Sequence, residues 1–217
     1  MNLLELRDAA RVELDDLAAG SNATDLLWSD AELDRFINEA VAEAVRRGMN
    51  IRDDGVTIAA TIGVNQYAFP VDILQLHRIR VHGSPLMALT QRTEEDIEYL
   101  RWGIQAGEPR QFTLAGNTLI FDKSPSVATT FDLSVYRLPT VLILDSDVPE
   151  VPVQYHEPLL HWVRHRAYAK QDSETNNMDL SDKAARLFER HFGARKTAAA
   201  EVVLRNKQPR RTRASFF

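Results

Sequence analysis

Apolar positions recur at three- and four-residue steps near both ends of the chain and at two-residue steps through its middle. Leu3, Leu6, Ala10, Leu14 and Leu17 form one such stripe, which predicts a first helix stopping before Gly20-Ser21-Asn22. A second helix is predicted from Asp30, because Ser29 can cap the backbone while Glu32 reaches back, and Trp28 can staple onto Leu33 across the first turn. Its stripe is Leu33, Phe36, Ile37, Ala40, Val41 and Ala44. Arg46 and Arg47 then suit the negative end of the helix dipole, and Gly48 permits a left-handed exit.

From Val56 the period shortens to two, predicting strands over 56–62, 67–69, 76–82, 110–115, 118–122 and 129–138. Gly116-Asn117 turns one strand onto the next, and Phe131, Leu133 and Val135 share one face. Thr93 followed by Asp96 reads as a capping pair for a short helix through Ile97, Leu100 and Arg101. Pro139, Pro149 and Pro152 punctuate the exit from the strands. A helical block follows from near Tyr155 with Leu159, Trp162, Val163 and Ala167, and Pro158 is tolerated in its first turn. A last helix carries Leu180, Ala184, Leu187, Phe188 and Ala198 and runs to about Leu204. The expected fold class is α+β: a bundle of N- and C-terminal helices, an inserted, mostly antiparallel β module, and an extended C-terminal arm. The expected divisions are 1–55, 56–150, 151–204 and 205–217.

Composition narrows the class without naming a function. The 217 residues are 44% hydrophobic, 26% charged and 8% aromatic, an ordinary globular balance that excludes collagen-like and low-complexity chains. Folding a chain of this size buries roughly 70% of its extended surface, enough for one or two cores. No apolar run approaches the length a membrane helix needs, and Met1-Asn2-Leu3-Leu4-Glu5 lacks a signal peptide's basic start, so the expectation is a protein that stays where it is made. The absence of cysteine removes disulfides, thiolate metal sites and thiol nucleophiles, and fits a reducing compartment.

Candidate chemistry is sparse. Glu157, His161 and His165 stand at i, i+4 and i+8 on one helix face beside His156, a spacing able to hold zinc. Yet His161-Trp162-Val163-Arg164-His165 lacks the glutamate that a zinc-protease helix uses as base, and Arg164 and Arg166 raise the local potential. A solvated or partner-facing histidine stripe is the competing reading. The pairs Asp15-Asp16, Asp53-Asp54 and Glu94-Glu95 invite a hydrolase reading, but neighbours on a helix diverge by about 100° and seldom face one pocket. No phosphate-binding glycine loop and no nucleophile elbow is present in the sequence. The expectation is a non-enzymatic protein with no cofactor and no metal.

Charge is unevenly spread. The net charge is −5, but residues 205–217 hold Arg205, Lys207, Arg210, Arg211 and Arg213 with no acid, so −5 less this +5 leaves −10 on residues 1–204. Such an arm can grip phosphates, can simply be solvated, or can dock into an acidic groove of another protein. The terminal Phe216 and Phe217 favour docking, with the phenylalanines as apolar anchors.

Read in order, the pieces resemble the head-to-tail adaptor (connector) proteins of tailed bacteriophages. The resemblance is carried by Trp28-Ser29-Asp30-Ala31-Glu32-Leu33, Ile37-Asn38-Glu39-Ala40, Tyr67-Ala68-Phe69-Pro70-Val71-Asp72 and Gly107-Glu108-Pro109-Arg110-Gln111-Phe112. It continues in the strand exit at 133–139 and in Val151-Pro152-Val153-Gln154-Tyr155-His156 leading to Arg166-Ala167-Tyr168. It implies a virion protein at the head-tail interface, assembled in the bacterial host cytoplasm as a ring, commonly a dodecamer. It also implies a C-terminal arm reaching the portal protein, tail or nozzle proteins on the other side, and genome passage through the lumen without specific DNA binding. An acidic body suits a conduit that must not hold DNA. Mixed-sign helix surfaces such as Arg35, Glu39, Glu43 and Arg46 are candidates for the unlike faces a closed ring needs. The alternatives are a cell-wall glycan hydrolase using its carboxylates and a nucleic-acid-binding module using the arm.

Overall fold

The structure, a computed structural model, describes residues 1–17, 26–70, 72–83, 88–92, 105–170 and 176–206. The chain divides into two compact units, one of residues 1–51 with 138–196 and one of residues 52–137 with 197–217.

The first unit is helical. Helix α1 spans Leu3–Leu14 and α2 spans Asp30–Arg47. Both open with a capping box, Asn2 with Glu5 and Ser29 with Glu32, which satisfies backbone N–H groups that the first turn leaves unpaired. Trp28 and Leu33 are both buried, consistent with the expected staple. Helix α1 ends before Leu17, which is exposed. Asp15 turns into the left-handed region at φ 55° and sends its N–H back to the α1 carbonyls. Gly48 leaves α2 at φ 158°, ψ −6°, a conformation that favours glycine but is not the left-handed helical exit the sequence suggests.

A short 3-10 turn over Val153–Tyr155 leads into α3, His156–Tyr168, and α4 spans Met178–Phe192. Helix α3 packs against α1, α2 and α4, and its Leu159, Leu160, Val163 and Ala167 are buried. The helix expected to run on to Leu204 instead stops at Gly193. A separate helix α5, Ala198–Asn206, which belongs to the second unit, begins after Thr197, whose hydroxyl accepts the Ala200 N–H at 3.3 Å. Gly193 adopts φ 83°, open to glycine and strained for other residues, and this ends α4 despite a continuing apolar pattern.

The second unit carries β1 (Ile51–Ala60), β2 (Gln66–Ala68), β3 (Ile73–Val81), β4 (Thr90–Gln91), β5 (Gln111–Ala115), β6 (Thr118–Phe121) and β7 (Thr129–Arg137). They form a three-stranded sheet ordered β1-β7-β3 and a four-stranded sheet ordered β2-β6-β5-β4. β3–β7, β2–β6 and β5–β6 are antiparallel, while β4–β5 is parallel. The two sheets share a core in which Phe121 of one stacks on Phe131 of the other at 4.2 Å, with Tyr67 edge-on to both. Phe131, Leu133 and Val135 are fully buried on one face of β7. In β3 strict alternation would place Leu76 and Ile79 on opposite faces, yet both are buried. Register shifts between Ile73 and Gln75 and between Leu76 and Arg78 reset the face. The helix expected from Thr93 to Arg101 lies outside the described residues. Among the described residues no helix is long and apolar enough to cross a membrane.

Candidate partner-binding surfaces

The expected docking arm falls almost wholly outside the described residues. Arg205 sits within the backbone of α5, while Lys207, Arg210, Arg211, Arg213, Phe216 and Phe217 lie beyond the description.

The histidine stripe on α3 resolves into three separate internal tasks. His156 is buried, with Nδ1 2.9 Å from the Met1 amino group and Nε2 2.9 Å from the Val151 carbonyl. His165 meets Ser181 of α4, the serine hydroxyl lying 2.9 Å from Nδ1 and also donating to the His165 carbonyl at 3.0 Å. His161 stacks on His191 with ring centres 5.6 Å apart, and burial, reinforced by His191 and Arg164, holds its pKa below the ordinary histidine value. Among the described residues no three His, Asp, Glu or Cys side chains come together as metal ligands would. The stripe is therefore a seam against α1 and α4 rather than a solvated face.

The carboxylate pairs are also separated by their partners. Asp16 is 4% exposed and binds Arg11 at 2.6 Å while accepting the Leu27 N–H at 2.8 Å. Asp53 accepts from the Gly55 backbone and from Arg137 at 2.9 Å, and Asp54 interacts with Ser134 and Arg52. Those donors lower the pKa of both carboxyls and keep them ionised. Asp53 and Asp54, held ionised in this way, are poor proton donors at neutral pH. Glu94 and Glu95 lie outside the described residues. Of the mixed-sign residues on α2, Glu43 is buried between Arg47 at 2.9 Å and Arg195 at 3.8 Å, and Glu39 holds Arg166 at 2.8 Å. Glu43 therefore belongs to the interior of its own chain and cannot serve an outer face.

What the helical unit does present is the connection between β7 and α3. Val141, Ile143, Leu144, Val148 and Val153 are all well exposed, Ile143 at 78%, and Leu4 of α1 adds a further aliphatic side chain. Loops of this kind are ordinarily polar and loosely held. This one is braced at nearly every step. Asn38 of α2 accepts the Leu142 N–H at 2.8 Å and donates to the Leu142 carbonyl at 3.0 Å. Asp147 accepts the Ile143 and Leu144 N–H groups at 2.8 Å each, which depresses its own pKa. The Asp147 and Asp145 carbonyls accept from the first turn of α1 at Leu3 and Leu4, and the Asp145 carboxylate binds Arg7 at 2.9 Å. Glu150 accepts the Thr140 N–H at 3.0 Å. These bonds tie down the backbone, so the aliphatic side chains face out on a fixed frame beside the exposed carboxylate of Asp145.

This surface was not singled out by sequence reasoning, which reads the three prolines only as punctuation. The available signal is Val141-Leu142-Ile143-Leu144, four consecutive aliphatics between prolines in a stretch too short for helical periodicity. The β unit has a smaller counterpart. Ile62 and Val64 in the β1–β2 loop and Val127 before β7 are exposed, and the Gly63 N–H ties the two loops together at the Pro125 carbonyl, 3.1 Å away. A cavity of about 270 Å³ opens beside Val127, between Val81, Pro109 and Pro125.

Both units thus offer rigid apolar loops suited to contact with other proteins, and the polar clusters are occupied within the chain. No curated protein matches the sequence. A family model described as SU10 adaptor protein matches residues 1–215, nearly the whole chain. With its helical unit, its β unit and its outward aliphatic loops, the chain belongs to the SU10 adaptor protein family, a family of phage head-to-tail adaptors.

Proposed function

We propose that this adaptor is a structural virion protein that closes into a ring between the portal and the tail, extends the DNA channel, and grips the portal with its C-terminal arm. The carrying observation is the braced aliphatic loop at 140–153, a rigid contact surface of the kind that assembly requires and catalysis does not. The −10 charge on residues 1–204 supports passage of DNA without retention, since phosphate is repelled rather than held. Arg205, Lys207, Arg210, Arg211 and Arg213 supply long-range attraction to an acidic portal groove, and Phe216 and Phe217 supply apolar anchors. Repetition of the arm around a ring adds many modest contacts into one firm attachment.

The test is removal of residues 205–217 followed by measurement of binding to purified portal. Loss of binding with unchanged melting of the remaining protein is the expected result. Unchanged affinity defeats the docking role of the arm. Affinity of the intact chain for random DNA that falls steeply with salt and vanishes on neutralising the five cations would instead assign the arm to nucleic acid.

A further inference from the structure

The ring proposed above needs two unlike faces on each copy, and the helical unit carries a matched pair. On α3, His156 and Arg164 face α1, where they meet the Met1 amino group and Glu13, whereas His161, Trp162 and His165 face α4, where they meet His191, Phe188 and Ser181. At 3.6 residues per turn these two sets are centred roughly 150° apart around the helix axis. Helices α1 and α4 therefore lie on opposite flanks of α3. The braced loop is fastened to the first flank, through Leu3, Leu4 and Arg7 of α1.

The two flanks differ in chemistry. Residues 139–155 contain Asp145, Asp147 and Glu150 and no lysine or arginine, around the exposed Val141, Ile143, Leu144 and Val148. On the far flank, Lys183, Arg186 and Arg190 rise along the outer side of α4 at steps of three and four, with half-buried Leu187 among them, beside a shallow groove of about 310 Å³. Asp179 and Asp182 lie at the N-terminal end of the same groove, leaving its C-terminal half cationic. Among the described residues none of these three cations forms an ion pair. One flank is apolar with an acidic rim and the other is cationic around an apolar floor.

We infer that the loop of one copy, led by Ile143 and Leu144, docks on the Lys183–Arg186–Leu187–Arg190 side of α4 in the next copy. Such a contact joins unlike patches head to tail, the arrangement that generates closed rings. The aliphatic side chains supply the contact area and the charges set its orientation. The inference rests on the ring reading and fails separately from it.

Because the chain has no cysteine, a cross-link reports the contact without background. Mass photometry of the wild-type protein, alone and with portal, first asks whether a ring exists. A monomer in both conditions overturns the ring and this contact together. Given a ring, the double variant I143C/R186C is expected to give, on mild oxidation, a ladder of covalent species longer than dimers, at least tenfold more abundant than from either single variant. A ring that yields no species beyond dimers, or I143C alone giving efficient dimers, overturns this pairing while leaving the ring. K183E/R186E/R190E tests the electrostatic half. Its melting should match wild type, while the concentration needed for ring formation should rise at least tenfold. An unchanged assembly concentration rejects the cationic flank as the receiver.

Discussion

Two irregular segments of the helical unit are both held by polar contacts but put them to different use. At the start of the α1–α2 connection charge is buried. Arg11, 9% exposed, reaches Asp16 and Asp30 at 2.6 Å each, and Asp16 also accepts the Leu27 and Trp28 N–H groups. In the β7–α3 connection the backbone is likewise tied down, with Asp147 accepting the Ile143 and Leu144 N–H groups, but the apolar side chains are left in solvent. The first arrangement fixes where α2 begins relative to α1. The second spends its hydrogen bonds on holding a hydrophobic surface away from its own core. Exposed aliphatics cost an isolated protein solubility and return no stability, so their rigid display makes physical sense as preparation for a partner.

Breaking the buried cluster has the largest expected effect. Arg11→Met keeps most of the side-chain volume but leaves the Asp16 carboxylate buried without its cation, a change that costs about 3–4 kcal/mol. Urea unfolding should show this as a lower midpoint. A loss below about 1 kcal/mol would mean that water or another donor readily replaces the guanidinium.

The same contrast explains what could be read from the sequence. The Ser29–Glu32 box, the α2 stripe and the Phe131-Leu133-Val135 face obey short local rules, and each stands where the pattern puts it. The misplacements are positions where distant contacts decide. Helix α1 ends early where Asp16 is drawn onto the Leu27 N–H as well as Arg11, and β3 shifts its register beside β7. The α3 histidines are spaced like ligands, yet their partners come from α1, α4 and the loop, which spacing along one helix does not reveal. The break after α4 is signalled by Gly193 and Thr197, against an apolar stripe that continues past both. The exposed loop is not legible in the sequence, because aliphatic residues between a strand and a helix read as core unless the bracing that turns them outward is known.

Asn38 is where the loop's bracing concentrates, and the second effect is expected there. Asn38→Ala removes both hydrogen bonds to Leu142 and the one to the Asp34 carbonyl, and should cost about 2 kcal/mol. Hydrogen exchange sharpens the comparison. The Leu142 amide should lose protection, together with Ile143 and Leu144, while amides of α1 stay protected. Uniform loss across the unit would show that the loop and the bundle are one cooperative element rather than a bundle with a braced appendage.

A smaller effect is expected at the rim of the α1–α2 joint, where Glu32 joins its capping box to Lys170 at 2.9 Å. Lys170 and the Ser29 N–H hold its pKa at about 2, below the ordinary 4.5. The folded pKa is depressed, so the stabilisation is complete above about pH 4.5. It drains away as pH falls toward 2, because the unfolded chain takes up the proton first. Discounted for solvent screening, the contribution is about 1 kcal/mol. Comparing Glu32→Gln with wild type across this range should show two acid-unfolding curves that converge at low pH. Curves that stay parallel would place the benefit of Glu32 in packing rather than charge.

The smallest effect on stability is the most informative about the loop. Replacing two large aliphatic residues with serine inside a core is severe, since each such truncation commonly costs several kcal/mol. For Ile143→Ser with Leu144→Ser the expected change in unfolding free energy is within about 0.5 kcal/mol, because both side chains already lie in water and both backbone N–H groups remain bound to Asp147. Ring formation measured by mass photometry should fall sharply in the same variant. A stability loss of core magnitude would mean that these residues serve their own fold, and the contrast between the two segments would collapse. Near-wild-type folding with lost assembly is the outcome that a surface built for another chain requires.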